Sequence, residues 1–198
     1  MAESLEALGS RPRGRPRDPQ VRDRILETAM RLVQEGGRKL SIEKVAADAG
    51  VSKQTIYRWW PSRGELVLEA LLEFATRTIV PRPDGSPERA LTHLIEDTVA
   101  ALRGPIGDAV RSLLVESQLD SGFLPTFRDR FVEARREVMA GALESSVGEL
   151  DPERLTLMLD CLFGSIWYRL LVGHAPLDER FATDLTAAVA TLGAEYAS

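Results

Sequence analysis

The sequence predicts an all-α fold, in which a small N-terminal head of three helices is joined by a fourth helix to a larger C-terminal helical body. Apolar residues recur at spacings of three and four along most of the chain, which is the period of an α-helix. Strand-like alternation is almost absent, and runs rich in Gly and Pro separate the periodic stretches. We divide the 198 residues into an N-terminal arm, 1–17, the head, 18–80, and the body, 81–198, because a turn-rich run starts at Pro81.

The net charge of −5 combines two large contributions of opposite sign with the −2 of residues 1–10, which hold Glu3 and Glu6. Residues 11–63 contain 13 Lys/Arg and six Asp/Glu, a net charge of +7, whereas residues 64–198 contain 12 and 22, a net charge of −10. A basic head on an acidic body favours a polyanionic partner for the head, such as nucleic acid. The single Cys161 excludes an internal disulfide and a multi-cysteine zinc site. We find no secretory signal and no apolar run near the ~20 residues of a membrane span, so we expect a cytoplasmic protein with no membrane partner.

The arm carries a basic segment, RPRGRPR, at residues 11–17. It cannot form a helix, because proline lacks a backbone donor and forces its neighbour to be extended. It resembles the AT-hook, an extended element that places arginines in the narrow minor groove of A·T-rich DNA. Residues 1–10 have no pattern, and we expect them to be disordered. For residues 11–17, the alternative to an AT-hook is a basic tail that adds only sequence-independent attraction to DNA. The candidate contacts are Arg13, Arg15 and Arg17.

The head contains a pattern of two short helices around a glycine turn. The first helix of the head precedes this pair. It starts at Asp18-Pro19, an N-cap followed by proline at the first helical position, and ends at Gly36-Gly37. Ser41 and Ser52 are predicted N-caps, and Gly50 lies where a helix stops in the left-handed conformation. Two helices that are each too short to bury a core, joined by so short a turn, are typical of a helix-turn-helix.

The second helix of such a motif enters the major groove, and its N-terminal residues reach the base edges. Ile56 and Trp60 lie four residues apart and are expected to face inward. The outward positions carry cations, an amide, a hydroxyl and aromatic rings, which suit phosphates, base edges and the sugar-phosphate wall. A merely solvated face is the alternative, but exposed aromatics beside cations argue against it. The candidate DNA-binding residues are Ser41, Ser52, Lys53, Gln54, Thr55, Tyr57, Arg58, Trp59 and, as a phosphate clamp at the start of the fourth helix, Arg63.

The segment 50–67, GVSKQTIYRWWPSRGELV, closely resembles the DNA-binding domain of the TetR family of bacterial transcription regulators. The matching features include Gly50-Val51-Ser52, Thr55, Tyr57 and the aromatic Trp60, and ILETAMRLVQEGG at 25–37 is similar to the first helix of that family. The resemblance covers roughly residues 18–80. Trp59 departs from the His or Tyr that is common there, and Trp60 departs from Phe. The resemblance implies a homodimer that binds a palindromic operator and a body that dimerises and binds a small effector.

The remaining helices follow from caps and periodicity. Ser62 and Glu65 have the spacing of a capping box, and the fourth helix should run from there to about Val80. In the body we predict helices over 87–102, 106–118, 125–147, 152–172 and 179–192.

The helix predicted over 152–172 is apolar around nearly its whole circumference, so it should be buried on both sides. The TetR resemblance places a dimer interface on the last two helices of each subunit, and a helix in a purely internal core is the alternative. The predicted interface residues are Leu162, Ser165, Ile166, Arg169, Phe181, Leu185, Ala188, Val189 and Leu192.

A ligand pocket in such a body would be lined mainly with apolar groups from the middle helices. The candidates are Phe123, Phe127, Phe131, Met139, Met158, Phe163, Trp167 and Tyr168. Ordinary core packing is the alternative for each. Cys161 lies in the helix predicted to be buried, so we expect an inert core thiol there, with a redox sensor as the alternative.

We therefore expect a transcription regulator, most readily a repressor that a small apolar or amphipathic molecule releases from DNA. An architectural DNA-binding protein without an effector is the alternative, and a body with enzymatic activity is a weaker one. No nucleophile elbow, phosphate loop or metal-ligand spacing is present, and His93 and His174 lie apart. We expect no catalytic residues, no metal site and no cofactor.

Overall fold

A computed structural model describes residues 18–36, 40–82 and 85–196 of the chain. In these ranges the regular structure is entirely helical, which confirms the all-α prediction; the arm, 1–17, lies outside them. The helices are α1 Pro19–Gln34, α2 Ile42–Ala49, α3 Lys53–Tyr57, α4 Arg63–Thr78, α5 Pro87–Ala101, α6 Pro105–Leu119, α7 Phe123–Phe127, a π-helical turn Arg128–Val132, α8 Glu133–Val147, α9 Pro152–Val172 and α10 Glu179–Tyr196. The helix predicted over 125–147 thus begins at Phe123 and is interrupted by the π-helical turn.

The helix starts are set by local side-chain caps. Ser41, Ser52 and Ser62 each accept a hydrogen bond from the backbone N–H three residues later, at 3.2, 3.1 and 3.1 Å. Asp18 caps α1 in the same role, with Pro19 at the first helical position. Gly50 ends α2 with φ +66°, a conformation that L side chains rarely adopt. These predicted capping residues are confirmed.

Two apolar cores share helix α4. The first half of α4 packs with α1–α3 and with residues of α6 and α7, including Leu113 and Phe127. The end of α4, at Ala75 and Ile79, packs instead with α5, α8, α9 and α10. The head therefore has no core separate from the body, because the first core contains side chains of both.

Helix α9 is apolar on two opposite faces. Its inner face, with Leu162 and Ile166 at 0% and 1% exposure, is part of the second core. Its outer face, which we call the α9 outer face, presents Leu157, Tyr168 and Leu171 at 51%, 59% and 43% exposure, together with Cys161. By length and composition alone α9 could cross a membrane, so the expectation that the chain has no such run was wrong, as was that of a buried Cys161.

A polar junction around Glu69 of α4 ties three parts of the molecule together. The Glu69 carboxylate accepts a hydrogen bond from Trp60 Nε1 at 3.0 Å and pairs with Arg22 of α1 and, at 3.3 Å, with Arg130 of the π-helical turn. Burial alone would raise the pKa of this carboxyl, but the bonds from Trp60 and Arg22 and the charges of Arg22 and Arg130 hold the pKa below its ordinary value. The junction therefore needs an ionised Glu69.

We expect Glu69→Gln to lower the free energy of unfolding by about 1–3 kcal/mol at pH 7, because charged hydrogen bonds are lost from a half-buried site. A lowered folded-state pKa contributes stability that is present above the ordinary Glu pKa of about 4.3 and is lost as the pH falls through the folded value. The difference from wild type should therefore shrink toward pH 3 in urea unfolding. Glu137→Gln, on the exposed surface of α8, is the matched control. An equal loss at both pH values would contradict the ionised junction.

Candidate DNA-binding surface and ligand cavity

Helix α3, the second helix of the predicted helix-turn-helix and hence its recognition helix, is buried on one face and exposed on the opposite face. Ile56 and Trp60 are buried in the first core, as predicted. Lys53, Gln54 and Tyr57 are exposed on the opposite side. The exposed face offers hydrogen-bond donors, an acceptor and an aromatic ring that could enter a DNA groove, and the buried Ile56 and Trp60 fix the orientation of the helix.

Two residues assigned to the outward face are only half-exposed. Trp59 packs against the first core, with its ring centroid 6.1 Å from that of Trp60. The Thr55 Oγ1 lies 2.9 Å from the Ser52 Oγ, so both hydroxyls are engaged within the helix start. The prediction that Trp59 points fully outward was wrong, because its ring extends the apolar base formed by Trp60.

Lys53 lies 3.0 Å from Glu43 of α2 in an exposed ion pair. The pKa of Glu43 is below its ordinary value, first because its carboxylate accepts a hydrogen bond from its own backbone amide and then because of Lys53. Exposed pairs of this kind contribute little. The pair therefore places no large barrier in the way of a Lys53–phosphate contact.

Arg63, the predicted phosphate clamp, forms an ion pair within the chain. It is half-buried and pairs with Glu116 of α6 at 3.1 Å, which connects the start of α4 to the body. The Glu116 partner lies 53 residues away in the sequence, so no local pattern indicates this pair, and the contact of Arg63 with a phosphate stays a prediction.

A partly open cavity of about 370 Å³ lies between α4 and the body, where α5, α6, the π-helical turn, α8 and α9 border it. Of the predicted pocket residues, Phe131, Phe163 and Trp167 border it. The rings of Phe131 and Trp167 meet edge to face at 6.5 Å. The lining is predominantly apolar, which is typical of a site for small organic molecules.

The other predicted pocket residues lie elsewhere. Phe123 and Phe127 belong to the core shared by head and body, and Met139 and Met158 are buried in the second core. Tyr168 is on the α9 outer face, where its ring lies 4.4 Å from that of His174. Aromatic and Met residues on these helices therefore divide among cavity, core and surface, and composition alone does not separate them.

Several cavity residues were missed by sequence reasoning. Leu71, Phe74 and Ala75 of α4 border the cavity, although their periodicity indicates only a core-facing helix. Arg135 of α8 borders it as well, and a single arginine on a helix carries no sequence signal of burial.

The predicted dimer residues lie largely on the wrong faces. Leu162, Ile166, Phe181, Leu185 and Val189 are buried within one chain, so they cannot contact a second copy. For Leu162 and Ile166 the prediction failed because α9 is apolar all round and its periodicity does not define which face is buried. The apolar residues of α10 pack in the second core instead.

The remaining four predicted dimer residues are more accessible. Ala188 is exposed, and Ser165, Arg169 and Leu192 are half-exposed. Arg169 is engaged within the chain: it donates to the Pro176 carbonyl at 2.6 Å and lies 3.8 Å over the Phe181 ring.

Two family models match the chain. The model described as "Bacterial regulatory proteins, tetR family" matches residues 25–70, which contain the helix-turn-helix. The model "Tetracyclin repressor-like, C-terminal domain" matches residues 81–189 of the body.

Individual relatives agree over most of the chain. The uncharacterised HTH-type transcriptional regulator YdeS of Bacillus subtilis is 33% identical over 178 residues, which cover 87% of this chain and 89% of that relative. The HTH-type regulator Rv1556 of Mycobacterium tuberculosis is 31% identical over 170 residues, 82% of this chain and 84% of the relative. The crystal structure of the TetR family regulator SCO0332 matches with a TM-score of 0.76 and 28% identity, over 87% of this chain and 97% of that one. The exposed recognition helix, the helical body and these matches establish that the chain belongs to the TetR family of bacterial transcription regulators.

Proposed function

We propose that this regulator is a homodimeric repressor, acting in the cytoplasm, that binds a palindromic operator and is released by a small apolar or amphipathic molecule. The observation that carries the proposal is the position of α4, which packs with α1–α3 in the first core at one end and borders the cavity at the other. A ligand in a cavity beside α4 could change the position of the head and so control DNA binding. An architectural DNA-binding protein does not require such a cavity.

We assign base contacts to the exposed start of α3 and backbone contacts to its flanks. Gln54 would pair with adenine, and Lys53 would contact a phosphate or guanine. Tyr57 and Arg58 would contact the backbone. The arginines of the arm would lie in the flanking minor groove, just before Asp18 starts α1.

We assign the dimer contact to the α9 outer face together with the exposed side of α10. Leu157, Cys161, Gly164, Tyr168 and Leu171 recur at alternating spacings of four and three and are exposed in the single chain. Such a stripe is the pattern of a helix that packs against another helix. Two-fold pairing through it would present two heads to a palindrome.

Release would be a population shift between two positions of the heads. A ligand acts only through a difference in its affinity for the two states. Because α4 contacts the cavity at Leu71, Phe74 and Ala75, a ligand that fits better with α4 tilted would favour heads that no longer match the operator spacing.

Binding-site selection on genomic DNA at a stated physiological salt tests the proposal. A discrete inverted repeat with A·T-rich flanks is expected. Broad enrichment of A·T-rich DNA without a palindrome would instead favour the architectural alternative.

Gln54→Ala should reduce discrimination at one or two base pairs of each half-site by about 1–3 kcal/mol. Competition binding with single-substituted operators measures this. Gln118→Ala, an exposed glutamine of α6, is the control. An unchanged sequence preference would remove Gln54 from base readout.

Deletion of residues 1–17 should weaken operator binding and flatten its salt dependence, because each lost phosphate contact reduces the slope of log K against log salt by about 0.9. The combined variant Arg13→Lys, Arg15→Lys and Arg17→Lys separates charge from groove recognition. It should retain the slope and lose the preference for A·T flanks. If it retains both, the arm supplies charge alone.

Leu171→Glu should weaken dimerisation by about 2 kcal/mol or more, because it places a charge in a desolvated helix contact. Sedimentation equilibrium measures the dissociation constant. Leu119→Glu, at a position on α6 that is 83% exposed, should leave it unchanged. A dimer of wild-type affinity with Leu171→Glu would place the interface elsewhere.

A further inference from the structure

The cavity contains few polar groups, and most of them are already paired. The Thr98 hydroxyl donates to the Leu94 carbonyl at 2.7 Å. Arg136 donates to Asp160 at 2.7 Å, and these two opposite charges balance each other. Neither the Thr98 hydroxyl nor the Arg136–Asp160 pair presents an uncompensated charge to a ligand.

Arg135 differs from both. Its Nη2 donates to the backbone carbonyl of Ile79 at 3.2 Å, and across the described residues no carboxylate lies within ion-pairing distance of it. The pKa of its guanidinium is lowered by burial, with no neighbouring anion to oppose this. The group nevertheless stays protonated, because arginine titrates far above neutral pH. The cavity wall therefore carries one positive charge that the chain does not compensate.

We propose that the ligand of this cavity is an amphipathic monoanion, a carboxylate with an apolar body, whose carboxylate pairs with Arg135. This inference rests on the proposed function, which supplies the ligand-controlled body. The planar guanidinium matches a carboxylate through two parallel hydrogen bonds. The apolar body would lie against Phe131, Phe163 and Trp167.

The charge of the cavity selects against other classes. A cationic ligand would face the unpaired Arg135 without a free acidic partner, since Asp160 is paired with Arg136. A polyanion such as a nucleotide would need further cations in the wall. A neutral hydrocarbon would leave the Arg135 charge uncompensated, which is costly in an apolar surrounding. The volume of about 370 Å³ is at the small end of ligand pockets and suits a medium-chain acid.

The same arginine also connects the ligand to α4. The Ile79 carbonyl that it holds lies at the C-terminal end of α4. A bidentate pair with a carboxylate makes two hydrogen bonds between opposite charges, whereas the Ile79 carbonyl accepts one bond and carries no charge. A bound carboxylate would therefore draw the guanidinium away from Ile79 and release that end of the helix.

Isothermal titration of the full-length protein with decanoate, decan-1-ol and decylamine tests the charge preference without any mutation. Decanoate should bind at least tenfold more tightly than the alcohol, and the amine should bind most weakly. Equal binding of decanoate and decan-1-ol would overturn the proposal, as would the absence of decanoate binding together with that of octanoate and dodecanoate.

The variant Arg135→Met provides a second test of the proposal. It should weaken decanoate at least tenfold and leave decan-1-ol unchanged or tighter, while Arg135→Lys keeps part of the preference. Arg128→Met is the matched control, because Arg128 lies in the adjacent π-helical turn and pairs with Asp129 at the surface. Wild-type decanoate affinity in Arg135→Met would overturn the assignment.

Operator release is measured separately, by fluorescence anisotropy of labelled operator DNA. Binding of decanoate that requires Arg135 but does not release the operator would uphold the ligand class and contradict the release mechanism. Release by decan-1-ol alone would uphold ligand control and overturn the carboxylate.

Discussion

The packing of α4 is the constraint on which the rest of the structure depends. Its first half belongs to the first core, with α1–α3 of the head, through residues such as Leu66 and Leu71, and its end belongs to the second core, with the body helices, through Ala75 and Ile79. Close-packed interiors have few voids and transmit displacement rather than absorb it. The head therefore cannot change its angle to the body unless α4 is repacked at both ends.

Three polar contacts distribute this constraint along the length of α4. Arg63 at its start pairs with Glu116 of α6, Glu69 near its middle pairs with Arg130, and the Ile79 carbonyl at its end accepts from Arg135. Hydrogen bonds are directional, so these contacts favour one discrete position of the helix over a continuous range. Arg130 is also the neighbour of Phe131, which borders the cavity, so the middle contact is adjacent to the proposed ligand.

The parts of the fold that the sequence predicts are those encoded locally. The caps at Ser41, Ser52 and Ser62 and the left-handed Gly50 depend on residues within one helical turn. Contacts between distant segments were not predictable. Arg63 meets Glu116, and Arg135 meets Ile79, through a tertiary arrangement that no local spacing indicates. The phase of α9 was missed because a helix with apolar residues all round has no hydrophobic direction.

The apolar residues around the whole circumference of α9 also indicate what this helix contacts. A helix of 21 residues with this composition could lie in a lipid core, but its inner residues Leu162 and Ile166 are packed in the body. Asp160 on the same helix is paired with Arg136 at the cavity, and a charged pair at that position would be costly in lipid. Surrounding α9 with lipid would require the second core to be taken apart. Protein on both sides satisfies the composition without that cost: the body covers one face, and a second copy of the chain would cover the other.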